Sequence, residues 1–409
     1  MNTGGGSAQG GPDSSIGPVT TRADDDARFL ARDAVDCLPG GGLARKLALG
    51  RPLRVKLGLD PTAPDVHLGH TVVLRKLREF QDRGHVVVLI IGDYTARVGD
   101  PSGRSSTRPL LSGEEIDANA RTYVAQAEKV LDPERIELRY NSEWLDMSMV
   151  DLFALARTTT VAQLLERDDF ANRSARREPI SILELIYPLM QAYDSVAVRS
   201  DVELGGTDQK FNLLLGRDVQ RAYGVDEQVA LTMPILPGVD GERKMSKSLG
   251  NHIGVTEAPE EIYGRTLSLP DAAMAAWYEL LLDEEPPLRL SPRDAKHALA
   301  RRLVERLHSA DAAASASSHF ERVFVQGEPP DELQEAQFAA PSGAVHMPAL
   351  IADVFGGSRS DARRKIAQGA VKLDGVPLGG DELDVASERV DGAIVQVGKR
   401  QFRRMRHTA

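Results

Sequence analysis

Residues 53–92 read LRVKLGLDPTAPDVHLGHTVVLRKLREFQDRGHVVVLIIG, and three patterns follow one another within them. Leu53, Val55, Leu57 and Leu59 alternate with other residues, which is the period of a strand. Asp60-Pro61 stops it. From about Val66 to Arg83, Val73, Leu74, Leu77 and Phe80 recur at helical spacing, and Gly84 follows as a C-terminal cap. Val86 to Ile91 is an uninterrupted aliphatic run, mostly β-branched, closed by Gly92. A parallel strand buried on both faces has that composition. Strand, helix, strand in this order is a βαβ unit, so the expected fold is α/β with a Rossmann-like parallel sheet.

Working outward, Ser112 and Glu115 form a capping box ahead of a helix carrying Ile116, Tyr123, Val124, Ala127 and Val130. Helical patterns continue through Leu152–Leu165 and Ile180–Met190. A helical insertion at about 112–189 is therefore expected inside a catalytic domain spanning 26–240. Strand-like Gln228–Met233 closes that domain. Residues 241–325 read as a mobile loop and an α-helical domain, and 326–342, with Gly327, Pro329, Pro330 and Pro341, as a linker. Residues 343–409 read as a small α+β domain. It should hold a helix at Leu350–Phe355 and a second helix capped by Ser360 and ending before Gly369. Strands at Val371–Leu373 and Ala393–Val397, with an Asp374-Gly375 turn, should complete it.

The length, 409 residues and 44.4 kDa, exceeds the roughly 100–200 residues of one domain and implies two or three. Hydrophobic residues at 42% and charged residues at 27% exclude disorder of the whole chain. No apolar run approaches the ~18 residues of a membrane span, so no membrane partner is expected. The one cysteine, Cys37, cannot close an internal disulfide, which favours a reducing, cytoplasmic location. No Cys/His cluster has the spacing of structural zinc, and no dedicated metal site is expected. Residues 1–25 read as a disordered tail without the apolar core of a signal peptide. The net charge of −10 is uneven: residues 341–409 carry 11 basic and 8 acidic groups, or +3, and the remainder −13. An acidic body thus carries a basic end, which suits nucleic acid.

Two segments carry phosphate chemistry. Asp60 to His70 lies between a strand and its helix, where backbone N–H groups and the helix dipole favour an anion. His67 and His70 share one side of the first helical turn, and Gly69 between them lets a flat ring or a phosphate approach the backbone. Lys244-Met245-Ser246-Lys247-Ser248 lies among Gly238, Gly241 and Gly250. Two lysines and two serines on a mobile loop can follow phosphates through a reaction. A third segment, Tyr187 to Asp194, places Tyr187, Gln191 and Asp194 on one helix face. Gly205-Gly206-Thr207-Asp208-Gln209 follows; its glycines allow close backbone approach, and Asp208 and Gln209 could grip a ribose or an amino group.

The sequences HLGH and KMSKS, in this order, resemble the signatures of class I aminoacyl-tRNA synthetases. With the third segment they resemble the bacterial-type tyrosyl-tRNA synthetases over nearly the whole chain from Asp26. That resemblance implies activation of L-tyrosine by ATP with Mg2+, then transfer to the 3′ end of its tRNA. It implies that Asp194 accepts from the substrate phenol, while Tyr187, Gln191 and Asp100, with Thr95 nearby, serve the amino end. Asp208 and Gln209 match residues at the adenylate ribose and the reacting carboxylate. His67 and His70 match the ATP-phosphate histidines, and Lys244 and Lys247 the loop lysines. Asp60, Gly69, Gly206, Ser246 and Ser248 fall at ATP-binding positions. The resemblance further implies a homodimer joined through the insertion.

Two positions depart from the commonest family pattern. Lys56 stands where many members have a phenol-binding tyrosine, and Lys210 where many have an aromatic residue. Lys56 reads equally as an exposed strand residue. The C-terminal segment resembles a small RNA-binding domain named for a ribosomal protein, with Arg363, Arg364, Lys365 and Lys372 facing RNA phosphates. Lys399, Arg400, Arg403, Arg404 and Arg406 extend that charge. Trp144 and Trp277 read as packing residues. Two other readings fit parts of the pattern: a synthetase of this architecture for another amino acid, tryptophan nearest, and an RNA-binding regulator on a synthetase scaffold. Asp194 and the basic C-terminal domain oppose the first, and the intact phosphate segments oppose the second.

Overall fold

The computed structural model describes residues 21–61, 65–100, 112–327, 333–398 and 401–408. Most of the N-terminal tail, Thr62 to Pro64, Pro101 to Gly103, Pro329, Pro330, Lys399 and Arg400 lie outside the described residues. The chain divides into two compact units. The first holds residues up to Gly238 together with Glu242–Thr256 and Glu279–Asp283. The loop of 242–256 therefore clusters with the sheet and not, as the sequence boundary at 241 implied, with the helical domain.

The first unit is built on a six-stranded sheet in the order β1-β6-β5-β2-β3-β4. Its strands are β1 (Asp36–Leu38), β2 (Arg54–Leu59), β3 (Val86–Ile91), β4 (Ile136–Tyr140), β5 (Val202–Gly206) and β6 (Val229–Met233). Strands β2 to β6 run parallel, and β1 is an antiparallel edge. Strand β3 is buried from Val87 to Ile91, as its aliphatic run requires. Helix α1 (Leu68–Asp82) crosses from β2 to β3 and buries Val72, Leu74, Leu77 and Phe80.

Strand β4 changes the expected insertion. The helix Gly113–Ala127, with its Ser112–Glu115 capping box, is the crossover from β3 to β4. The helical insertion begins after β4, with Ser142–Leu145, and not at 112. The cause is β4 itself: an edge strand reading IELRY, half-buried and charged, carries no buried-strand signal. Helix α2 (Ile182–Ala197) ends the insertion, and α3 (Lys210–Ala222) packs on it and returns the chain to β6. At the N-terminus, the helix Arg22–Leu30 is capped by Thr21, so residues 22–25 are helical and do not belong to a tail.

The second unit contains the helices Pro259–Leu267, Pro292–Leu307 and Ala310–Phe320, with Trp277 and Tyr263 fully buried. Its C-terminal part has a five-stranded sheet ordered β10-β9-β12-β13-β7 and a two-stranded β11-β8 pair. These strands are β7 (Glu335–Phe338), β8 (Ala344–His346), β9 (Val371–Leu373), β10 (Val376–Pro377), β11 (Asp384–Ala386), β12 (Ile394–Val397) and β13 (Gln401–His407). Strand β7 lies within the span read as a linker and pairs in parallel with β13. Ser358, not Ser360, caps the helix Arg359–Ala367. Ile366, Val371, Val395 and Met405 are all buried in its core.

Candidate active site

Strands β2 and β5 are neighbours, but the chain proceeds from them to opposite sides of the sheet, to β3 and to β6. Such a switch point opens a crevice at the carboxyl ends of the strands. The residues singled out in the first unit gather there. Asp60 follows β2, and its carboxylate accepts hydrogen bonds from Tyr187 Oη and Thr95 Oγ1, both at 2.7 Å. Thr95 Oγ1 also accepts from Asn141 Nδ2 at 3.0 Å, and Asn141 Oδ1 accepts the Tyr94 N–H. Thr95 is buried, with its hydroxyl committed to these partners; it supports Asp60 from behind. Gly92 is required here, because a Cβ would lie 2.0 Å from Asp60 Oδ1 and 2.3 Å from Thr95 Oγ1. Burial and the neighbouring carboxylates, Asp60 first, push the Tyr187 phenol well above its usual range, so it is a neutral donor.

The face of α2 runs on to Gln191 and Asp194. Asp194 is buried and accepts from Trp144 Nε1 at 2.8 Å. Trp144 is thus a hydrogen-bonding residue as well as a packing one. Burial raises the Asp194 carboxyl to about 7, against the opposing pull of Lys56 and the Trp144 bond.

Lys56 is not an exposed strand residue: it is 0% exposed, and Glu203 is its register partner across β2 and β5. Its Nζ lies 3.0 Å from Glu203 Oε1 and donates to Ser195 Oγ at 2.7 Å and to the Gln191 carbonyl at 3.0 Å. From this pair a chain of amides runs through the site. Ionised Glu203 can only accept, so it faces the Gln191 amide nitrogen, at 3.2 Å. Arg167 can only donate, so it faces Asn212 Oδ1, at 3.2 Å. Asn212 Nδ2 must then serve the oxygens of Gln191 and Gln209, at 2.8 and 3.0 Å. Gln209 Nε2 is left to Asp100 Oδ2, at 2.9 Å. One acceptor-only end and one donor-only end thereby fix the orientation of every amide between them.

Gly205 and Gly206 end β5, and Thr207–Gln209 form a 3₁₀ turn. The close approach they permit is to their own turn. A Cβ on Gly205 would meet Gln209 Cβ at 2.8 Å, and one on Gly206 would meet Asp208 Oδ1 at 2.6 Å. Lys210 turns to the edge strand, 2.7 Å from Asp36 of β1.

At the other end, His67 is the N-cap of α1 and its Nδ1 accepts the Gly69 N–H at 3.2 Å. His70 Nδ1 accepts the His67 N–H at 3.2 Å. Each ring's proton is therefore on Nε2. Burial, with the neighbouring cationic groups, lowers His67 to about 2 and His70 to about 4. Both are neutral N–H donors at pH 7. The loop after Gly238 is held against them: Leu68 N–H donates to the Ile253 carbonyl and Val255 N–H to the Val66 carbonyl. Within the loop, Met245 is buried, and Ser246 N–H donates to Asn251 Oδ1 at 2.8 Å. The Ser246 and Ser248 hydroxyls are 2.9 Å apart. Lys244 pairs with Asp208 and Lys247 with Asp65.

In the second unit the described basic residues of the strands divide between two faces. Arg363 and Arg364 are exposed on the helix Arg359–Ala367, where Arg364 and Lys365 both pair with Asp361. Lys372 lies opposite Gln396, and Gln396 opposite Phe402. Strand alternation puts Lys372 and Arg404 on one face and Arg403 on the other, with its guanidinium over the Phe355 ring.

Sequence reading missed Asn141, Trp144, Arg167, Ser195, Glu203 and Asn212. Asn141 directly follows the unrecognised β4, so recognising that strand end would have found it. Glu203 and Asn212 carried no signal, since each needs the sheet register or the α2–α3 packing to acquire its partner.

Comparison with known proteins accounts for this arrangement. Residues 48–325 match the family described as tRNA synthetases class I (W and Y). The tyrosine–tRNA ligase of Moorella thermoacetica is 52% identical over 398 residues, covering 93% of this chain and 95% of that protein. That of Thermotoga maritima is 47% identical, covering 93% and 97%. In fold, the chain is similar to a C-terminally truncated mitochondrial tyrosyl-tRNA synthetase of Aspergillus nidulans (TM-score 0.61, 24% identity, covering 73% of this chain and 93% of that one). It is equally similar to the tyrosyl-tRNA synthetase of Archaeoglobus fulgidus (TM-score 0.61, 24% identity, covering 73% and 100%). With the phosphate segments and the polar face of α2 gathered at one switch point, the chain belongs to the bacterial-type tyrosine–tRNA ligases, class I aminoacyl-tRNA synthetases.

Proposed function

We propose that the crevice activates L-tyrosine with ATP and then transfers it to tRNA. The observation that carries this reading is the buried carboxylate of Asp194, aligned on α2 with Gln191 and Tyr187. A phenolic O–H donates to Asp194, and a phenylalanine ring would bring no donor to that buried carboxylate. Tyr187, Gln191 and Asp100 hold the amino end, Gln209 lies toward the carboxylate, and Asp60 and Thr95 fix Tyr187. A carboxylate oxygen of tyrosine attacks the α-phosphorus of ATP, the bond to the bridging oxygen breaks, and pyrophosphate leaves with its Mg2+, which arrives as part of the nucleotide substrate.

The Nε2–H groups of His67 and His70 donate to phosphate oxygens as charge builds on them, at no cost of burying an imidazolium. Lys244 and Lys247 exchange Asp208 and Asp65 for pyrophosphate oxygens. Asp208, Gly206, Gly69, Ser246 and Ser248 line the nucleotide. The terminal hydroxyl of tRNA then attacks the tyrosyl carbonyl and releases AMP. Arg363, Arg364, Lys365, Lys372, Arg403 and Arg404 meet RNA phosphates.

The insertion exposes Met149, Val150, Phe153, Val161, Ile182 and Leu183. An apolar set of this kind supports a homodimer through that face. No helix among the described residues is long and apolar enough to cross a membrane, and a cytoplasmic location fits the single free Cys37. The test is amino-acid-dependent exchange of pyrophosphate into ATP without tRNA. Exchange is expected with tyrosine and with no other standard amino acid; exchange with another would overturn the assignment of Asp194.

A further inference from the structure

The ion pair of Lys56 and Glu203 lies behind the tyrosine-binding face of α2, and nothing in the reaction above uses it. Lys56 Nζ has three donors and three acceptors: Glu203 Oε1, Ser195 Oγ and the Gln191 carbonyl. Two of these belong to the turn of α2 that contains Asp194. Glu203 in turn accepts from Ser195 Oγ at 3.0 Å, from Gln191 Nε2 at 3.2 Å and from Gln228 Nε2. The pair therefore grips Gln191 and Ser195, on either side of Asp194 along α2.

We propose that Lys56 and Glu203 are opposed positioning residues for tyrosine. Lys56 sets the charge of Asp194 against burial, and Glu203 limits that effect while orienting Gln191. Among the described residues, the charged and titratable groups that act most on Asp194 are Lys56 and Asp60 from β2 and its end and Glu203 from β5, with Tyr187 on its own helix; Trp144 adds its indole N–H. Of these, Lys56 is the cation. Glu203 and Asp60 repel the Asp194 carboxylate, which titrates at about 7 between these influences. The inference rests on the reading of Asp194 as the phenol acceptor.

The two partners thus predict shifts of opposite sign, which a merely structural role does not. The measurement is kcat/KM for tyrosine against pH, by pyrophosphate exchange at saturating ATP. For the unaltered enzyme it should fall as Asp194 takes up a proton, with a break near 7. Lys56→Met should move that break up by at least one unit, raising KM for tyrosine at least about fivefold at pH 7 with kcat little changed. Glu203→Gln should move it down. Comparing Glu203→Gln with Lys56→Met/Glu203→Gln isolates the lysine in a background without an unpaired buried carboxylate, should Lys56→Met alone fail to fold.

Breaks that do not move, or that move in the same direction in Lys56→Met and in Glu203→Gln, overturn the proposal. Asp194→Asn separates the two readings. If it keeps the unaltered kcat/KM for tyrosine, the assignment of Asp194 fails. If its kcat/KM falls about tenfold or more while the Lys56 and Glu203 variants keep the unaltered profile, only this inference fails.

Discussion

Lys244 and Lys56 carry the same charge, one on the loop beside the crevice and the other in the core behind it. Lys244 keeps 53% of its side chain exposed and pairs with Asp208 on a loop. Lys56 keeps none, and pairs with Glu203 across two central parallel strands. A cation in water can change partners cheaply, which suits groups that must follow a departing pyrophosphate. A cation in a core can do so only at the cost of leaving a charge uncompensated, which suits groups that must not move. On the proposed function, the phosphate end is suited to exchange of partners, and the tyrosine end to holding a geometry.

The largest expected effect comes from breaking the buried pair. Lys56→Met leaves Glu203 unpaired in the core and should cost about 3–5 kcal/mol of stability. Lys56→Met/Glu203→Met, apolar on both sides, should recover most of that. Chemical denaturation of the three proteins, followed by tryptophan fluorescence, checks both. Equal stability of the single and double variants would show that the pair is not the holding element.

The same contrast explains what was legible in the sequence. The phosphate end is written in contiguous runs, HLGH and KMSKS, because its backbone turns and loop lie within single segments. The polar face of α2 was legible too, since helical periodicity alone brings Tyr187, Gln191 and Asp194 together. The supporting layer was not. Lys56 meets Glu203 only through the register of β2 on β5, and Gln191 meets Asn212 only through α2 packing on α3. Strands β4 and β7 escaped notice because both are polar: β4 is the edge strand of its sheet, and β7 is a parallel addition at the end of the second unit's sheet. Their pairing depends on a neighbour far along the chain, which no local pattern records.

At the phosphate end, His70→Ala removes one neutral Nε2–H donor. Loss of a single transition-state donor should lower kcat by about 10²–10³, with KM for tyrosine nearly unchanged. Because both imidazoles titrate far below neutrality, at about 2 and about 4, they stay neutral as pH falls from 8 to 5. The pH profile of kcat should accordingly show no break from His67 or His70 in that range. A break there that disappears in His70→Ala would mean a charged imidazole and a different role.

Asp194→Asn should come next in size. It exchanges a charged acceptor for a neutral one at a buried site, a loss of about 1.5–3 kcal/mol, or roughly tenfold to 150-fold in kcat/KM for tyrosine. KM for ATP should hold. Tyrosine should also stabilise the unaltered enzyme to heat more at pH 8 than at pH 6, since the carboxylate that receives the phenol is formed above about 7. Thermal shifts at a fixed excess of tyrosine measure this; equal shifts at the two pH values would place the phenol elsewhere.

The smallest effect sharpens the comparison most. Lys247 and Asp65 are both partly exposed, at 28% and 41% of their side chains. A pair of that kind contributes about 0–1 kcal/mol and is screened by salt. Asp65→Asn should therefore change KM for ATP by no more than about fivefold, and the difference from the unaltered enzyme should shrink as KCl is raised. The tyrosine end should ignore the same salt, because Lys56, Glu203 and Asp194 are shielded from counterions by burial. If KM for tyrosine rises with salt as steeply as KM for ATP, the charges behind α2 are reached by solvent ions during turnover. The crevice would then open at both ends, and the division between a yielding end and a rigid one would hold only for the resting enzyme.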